Sequence, residues 1–168
     1  MNLKQIFLKQ EQLDKSFSKY IKEKNNPGFS QDSNWEDQVI IAAIIEIAEF
    51  CNEIEAFKYW KQHKKNNHEK EIEEFADAIH FLASACLHFK VDSEIEEKVV
   101  ASRDLNDQTK KVFSLATNML NNKTAENLGE LFSYFLGFAK LRGWTDEMIF
   151  NAYEQKHQIN INRIKNNY

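Results

Sequence analysis

Glycine and proline are nearly absent. Four glycines and one proline in 168 residues exclude a fold of many short strands joined by tight turns, because those turns are built from these two residues. Long helices are the alternative. Cysteine is also scarce. Cys51 and Cys86 both sit in apolar helical stretches, and they read as buried thiols of a cytoplasmic protein rather than as a disulfide. Positive charge is not in excess: the net charge is −4 and the pI is about 5.8. That argues against a groove for a nucleic acid polymer while leaving room for local basic clusters. The longest apolar run, Val39 to Ile45, is far too short to span a bilayer. The opening MNLKQIFLKQ has no apolar core and no small-residue cleavage site, so no signal peptide is expected.

What is present is enough apolar material, 42%, to fill the core of one domain over residues 1–168. Apolar residues from Leu3 to Ile21 recur at helical spacing and predict a first helix over Leu3 to Glu23, broken at Asn25-Asn26-Pro27-Gly28. Ser33 with Glu36 is a capping-box pattern that opens a second helix reaching about Gln62. Asn66 with Glu69 opens a third to about Phe89, and Ser93 with Glu96 a fourth, closed by Asn121-Asn122. A fifth starts near Thr124 and ends at Gly143, the glycine expected just past a helix. Thr145, followed by Asp146 and Glu147, starts a sixth that runs almost to Tyr168. The expectation is an all-α bundle of about six helices.

The second helix carries the most informative feature. Glu46 and Glu49 interrupt a stretch from Val39 to Cys51 that is otherwise apolar on every side, a pattern of buried helices. A buried carboxylate is paired, protonated or bound to a metal. Residues three apart share a helix face, and Glu53 continues that face. Two like charges in a dry site repel, and a divalent cation relieves them. The third helix repeats the device with Glu74 and Asp77, just ahead of an apolar stretch in which Ile72, Phe75, Ile79, Leu82 and Cys86 form the core face and Phe81 joins the acids. Four carboxylates from two helices can enclose a hard cation such as Mg²⁺, which keeps water or substrate phosphate in its shell. A single Glu-x-x-Glu pair is usually a solvated helix face. The repetition in apolar surroundings is what favours a site.

Two further features bear on ligands. Tyr153, Lys156, Asn160 and Arg163 share one face of the last helix. They read either as basic residues complementing the helix dipole or as groups that neutralise a triphosphate. Gln10 sits in the middle of the apolar stripe of the first helix. It reads as a structural hydrogen-bonder to backbone, or as a donor–acceptor edge matching uracil.

The segments LKQIFLKQEQLD, EIAEFCNE with FKYW, EEFADAIHF, and WTDEM…AYEQKHQININ..R resemble, in order, the motifs of the dimeric all-α dUTPases. That family falls within the wider group of all-α NTP pyrophosphatases related to the MazG type. The resemblance covers the first three helices and the last; residues from about Val91 to Leu141 match no motif. It implies a cytoplasmic, homodimeric dUTP diphosphatase that uses two or more Mg²⁺ ions to convert dUTP to dUMP and pyrophosphate, with dUDP a candidate second substrate. It implies Glu46, Glu49, Glu74 and Asp77 as metal-binding and catalytic carboxylates, with Glu49 orienting or deprotonating the attacking water. It implies contacts to substrate from Gln10, Asn52, Lys58, Trp60, His80, Phe81, Lys156, Asn160 and Arg163, Gln10 being the position that reads uracil. His157 stands where the family often has Asn, which puts one phosphate or sugar contact in doubt. A related pyrophosphatase acting on dCTP or modified nucleotides would keep the carboxylates and change the base pocket. A non-catalytic helical binding module is the reading outside enzymes. A di-iron bundle is disfavoured, since Glu154 with His157 is the only Glu-x-x-His pair. The Phe-rich LFSYFLGFAKL reads as core or as dimer interface.

Overall fold

The computed structural model describes residues 3–24 and 34–166. It holds six helices: α1 (Lys4–Glu23), α2 (Trp35–Ile54), α3 (His68–Phe89), α4 (Leu105–Met119), α5 (Ala125–Arg142) and α6 (Asp146–Lys165). The fold is all-α, as expected. The Asn25–Gly28 breaker, Ser33, Asn167 and Tyr168 lie outside the described residues.

The start signals at Thr124 and Thr145 are the ones the helices use. The Thr124 and Thr145 side chains accept from the backbone N–H groups of Asn127 and Met148 and start α5 and α6. α2 starts from Asn34, whose side chain accepts from the Asp37 N–H, and α3 from Asn67 rather than Asn66. α2 ends at Ile54, well before Gln62. Glu55 turns left-handed there (φ 58°) and is buried. Its carboxylate accepts from Lys58 Nζ at 3.0 Å, Lys61 Nζ at 2.7 Å and the Lys65 N–H at 3.0 Å. A buried acid gathering cations from the following loop outweighs the helical pattern beyond it.

The expected helix at Ser93–Glu96 does not form. Residues 91–104 cross the bundle as an irregular strap, and α4 starts only where Asp104 accepts from the N–H groups of Asn106 and Asp107. The strap is held through its backbone: the Leu3 N–H donates to Ser93 O, and the Lys98 N–H to Ser133 O. Gln108, fully buried, accepts from the Val100 N–H at 2.9 Å and donates to Lys98 O at 3.0 Å and Tyr134 O at 2.5 Å. The approach is so close that a Cβ on Gly137 would lie 2.0 Å from Lys98 O. Tertiary contacts, not local capping, decide this segment.

α3 is the central helix and packs against α1, α2, α5 and α6. Phe75 of α3 stacks on Phe135 of α5 at 4.6 Å, and Phe50 of α2 meets Phe75, Phe135 and Phe138 edge-on. The Phe-rich stretch of α5 is therefore core. Ile79, Leu82 and Cys86 are fully buried, as their spacing suggests. Both cysteines are free and buried. α2 is not buried all round: Ile41 and Ile45 are 47% and 51% exposed, and with Gln38, Glu49 and Asn52 they form its outer face.

Candidate active site

Four helices converge on one cavity of about 830 Å³. α1 supplies Gln10 and Asp14, α2 supplies Glu46 and Glu49, and α6 supplies Lys156, Asn160 and Arg163. α3 supplies the most: Lys70, Glu74, Asp77, His80, Phe81 and Ser84. That follows from its central position, since successive turns of one helix face α1, α2 and α6 in the same cavity.

At one end, a carboxylate oxygen from each of Glu46, Glu74 and Asp77 lies within 4.8 Å of the others. Glu49 lines the cavity but is exposed and stands outside this group. Glu53 does not continue the cluster: it is buried and accepts from Lys65 Nζ at 2.7 Å. The electrostatics are those of a crowded acid site. Burial, then the neighbouring Asp77 and Glu49, raises the Glu46 carboxyl from its ordinary 4.5 to about 7, against the pull of Lys156. Burial likewise raises Asp77, opposed by Lys156. Lys156 Nζ donates to Asp77 Oδ2 at 2.5 Å, while Asp77 Oδ1 is buried without a hydrogen-bond partner. Glu74 pairs with Lys70 at 2.7 Å. Three hard oxygen donors, an orphaned buried oxygen and mutual repulsion together fit a divalent cation of the Mg²⁺ type.

The other end is a buried polar network. Gln10 Nε2 donates to Asp14 Oδ1 at 2.7 Å, and Ser84 Oγ donates to Asp14 Oδ2 at 2.8 Å. Gln10 Oε1 accepts from Tyr153 Oη at 2.9 Å and meets His80 Nδ1 at 2.8 Å. His80 stacks on Tyr153, with ring centroids 4.1 Å apart. Burial, then the nearby His157, lowers His80 to about 3, so the ring is neutral. Because Gln10 Oε1 only accepts, the His80 proton sits on Nδ1. Gln10 is thus satisfied by side chains, not by backbone. Its carbonyl already has two donors, so it presents no free acceptor edge. Phe81, 36% exposed, lies on the cavity wall beside His80.

Of the residues singled out from the sequence, Gln10, Glu46, Glu49, Glu74, Asp77, His80, Phe81, Lys156, Asn160 and Arg163 all line this cavity. Asn160 Oδ1 accepts from Arg163 Nη1 at 3.2 Å. Asn52, Lys58 and Trp60 do not line it. Asn52 is exposed, and the Lys58 ammonium is held by Glu55 and the Asn52 carbonyl. Trp60 is 62% exposed and packs edge-on against Phe57 and Tyr59. Asn52 is on the outer face of α2, while Lys58 and Trp60 come after the helix has ended. His157 is buried, with Nε2 3.3 Å from Lys9 O, so it serves α1–α6 packing. Asp14, Ser84 and Lys70 were missed. Asp14, one helical turn beyond Gln10, could have been found by asking what satisfies a buried amide. Ser84 and Lys70 left no such signal.

A family model described as dUTPase matches residues 2–168 of the chain. No curated protein matches it.

Proposed function

The chain belongs to the dUTPase family, hydrolases that act on dUTP, and from that premise we propose that it is a Mg²⁺-dependent dUTP diphosphatase whose active site is the cavity between α1, α2, α3 and α6. The observation that carries the reading is the joining of two ends in one cavity: a carboxylate cluster with cations beside it, and a buried amide network. Glu46, Glu74 and Asp77 would hold the metal, with Glu49 at the rim. A bound Mg²⁺ would polarise phosphoryl oxygens and lower the pKa of a water nucleophile.

The chain's own residues supply the rest. Glu49 orients the attacking water and takes its proton on a carboxylate oxygen. Lys156 and Arg163 neutralise charge that develops on the phosphate chain, and Asn160 fixes the Arg163 guanidinium. Lys156 is already drawn in by Asp77, so substrate exchanges one anionic partner for another. Gln10 reads the base, and Phe81 with His80 walls the base and sugar. Products are dUMP and pyrophosphate; dUDP is a second substrate to test.

The chain acts as a single domain and as a homodimer in this reading. The exposed Ile41 and Ile45 beside the cavity support α2 as the interface. Free buried thiols support a cytoplasmic setting. The test is hydrolysis of dUTP, dUDP, dCTP, dTTP and UTP with Mg²⁺, each with and without EDTA. EDTA-sensitive release of dUMP from dUTP above all others is expected. Preference for another nucleotide would overturn the base assignment, and no turnover by folded protein would overturn the reaction.

A further inference from the structure

The amide of Gln10 can face two ways, and the base it reads depends on which. With nitrogen toward Asp14, it has one amide hydrogen left over, since Asp14 is the only acceptor it meets among the described residues. A lone donor at the base end suits a ring carbonyl and repels an exocyclic amino group. With the amide reversed, the oxygen would face the other way and suit the amino group.

Three neighbours surround that amide, and they differ in what they permit. The Tyr153 hydroxyl can either donate or accept. The His80 imidazole, neutral because it is buried, can move its proton between nitrogens; its Nε2 is buried and partnerless, so the alternative tautomer loses no existing bond. Both would accommodate a reversed Gln10. The Asp14 carboxylate in its ionised form cannot, because it then only accepts. Its second oxygen takes the Ser84 hydroxyl at 2.8 Å. Burial raises the Asp14 carboxyl above its ordinary value, and the hydrogen bonds from Ser84 and Gln10 pull it back toward the ionised form.

We propose that Asp14, steadied by Ser84, is a positioning residue that fixes the direction of the Gln10 amide and thereby sets the preference for a base carbonyl over a base amino group. This rests on the reading that the Gln10 end of the cavity receives the base. Asp14 need not touch the substrate. It acts by forbidding the reversed amide that Tyr153 and His80 would tolerate. Asparagine in its place has both a donor and an acceptor and would admit either orientation.

The experiment is the ratio of kcat/KM for dUTP over dCTP in the wild-type protein and in Asp14→Asn. A fall of at least tenfold in that ratio, arising mainly from a lower KM for dCTP, is expected. A merely structural role would lower kcat/KM for both nucleotides alike and leave the ratio unchanged. That result in folded Asp14→Asn protein overturns the proposal while leaving the assigned reaction intact. A wild-type protein without preference for dUTP overturns both. If Asp14→Asn does not fold, Ser84→Ala replaces it: a threefold or larger fall supports the proposal, and an unchanged ratio overturns it.

Discussion

Two buried glutamines divide this molecule into a part that holds itself together and a part that is kept ready for something else. Gln108, beneath the strap, spends its amide on three backbone groups. Gln10, at the cavity, bonds only to other side chains and keeps one hydrogen to spare. Two glutamates repeat the contrast. Glu55, gripped first by Lys61 and then by Lys58 and the Lys65 backbone, is lowered to about 2. Glu46, desolvated among acids, is raised to about 7. Gln108 and Glu55, which hold the fold together, have their polar atoms matched. Gln10 and Glu46, which line the cavity, are under-matched.

Substitutions on the two sides should therefore fail differently. The largest effect belongs to the cavity: Glu74→Ala should reduce dUTP turnover by roughly 10²- to 10³-fold while circular dichroism shows helicity retained. Full activity in that variant would remove Glu74 from the cluster's function. On the structural side, Gln108→Leu strands three backbone groups and should destabilise by about 3 kcal/mol or more. Chemical denaturation measures this, and activity per folded molecule should hold. Gly137→Ala forces a methyl against the Lys98 carbonyl and should lower Tm by roughly 5–10 °C; an unchanged Tm would mean that the strap yields easily.

The smallest effect is a matter of pH. Glu55 titrates lower in the folded protein than its ordinary 4.5. Its contribution is therefore fully present above about pH 4.5 and is lost as pH falls toward 2. Thermal melts of wild type and Glu55→Gln should differ most above pH 5 and converge near pH 2–3. A gap that widens on acidification would contradict this sign.

The same division explains what could be read from the chain. α1, α5 and α6 were legible from periodicity and local caps, and the acid pairs of α2 and α3 stood out because carboxylates are costly in apolar surroundings. The strap was not legible, because Ser93–Glu96 satisfies a local capping rule that Gln108, Ser133 and the close approach at Gly137 override from elsewhere in the chain. The end of α2 was missed because the donors gathered by Glu55, two ammonium groups and a backbone N–H, lie up to ten residues away. Within the site, residues with an anomaly of their own, such as Gln10 or Asp77, were found. Residues whose importance comes only from a neighbour, such as Ser84, were not. Of the residues taken from a motif, Asn52 is on the outer face of α2, and Lys58 and Trp60 lie in the segment after it, away from the cavity.

The most direct measurement is dUMP release from dUTP by wild type and Asp77→Asn, each with Mg²⁺ and with EDTA, alongside melts of both proteins. EDTA-sensitive turnover in wild type and near-complete loss in a folded Asp77→Asn is the expected result. Comparable, EDTA-indifferent turnover in both would contradict the carboxylate cluster as the centre of the reaction.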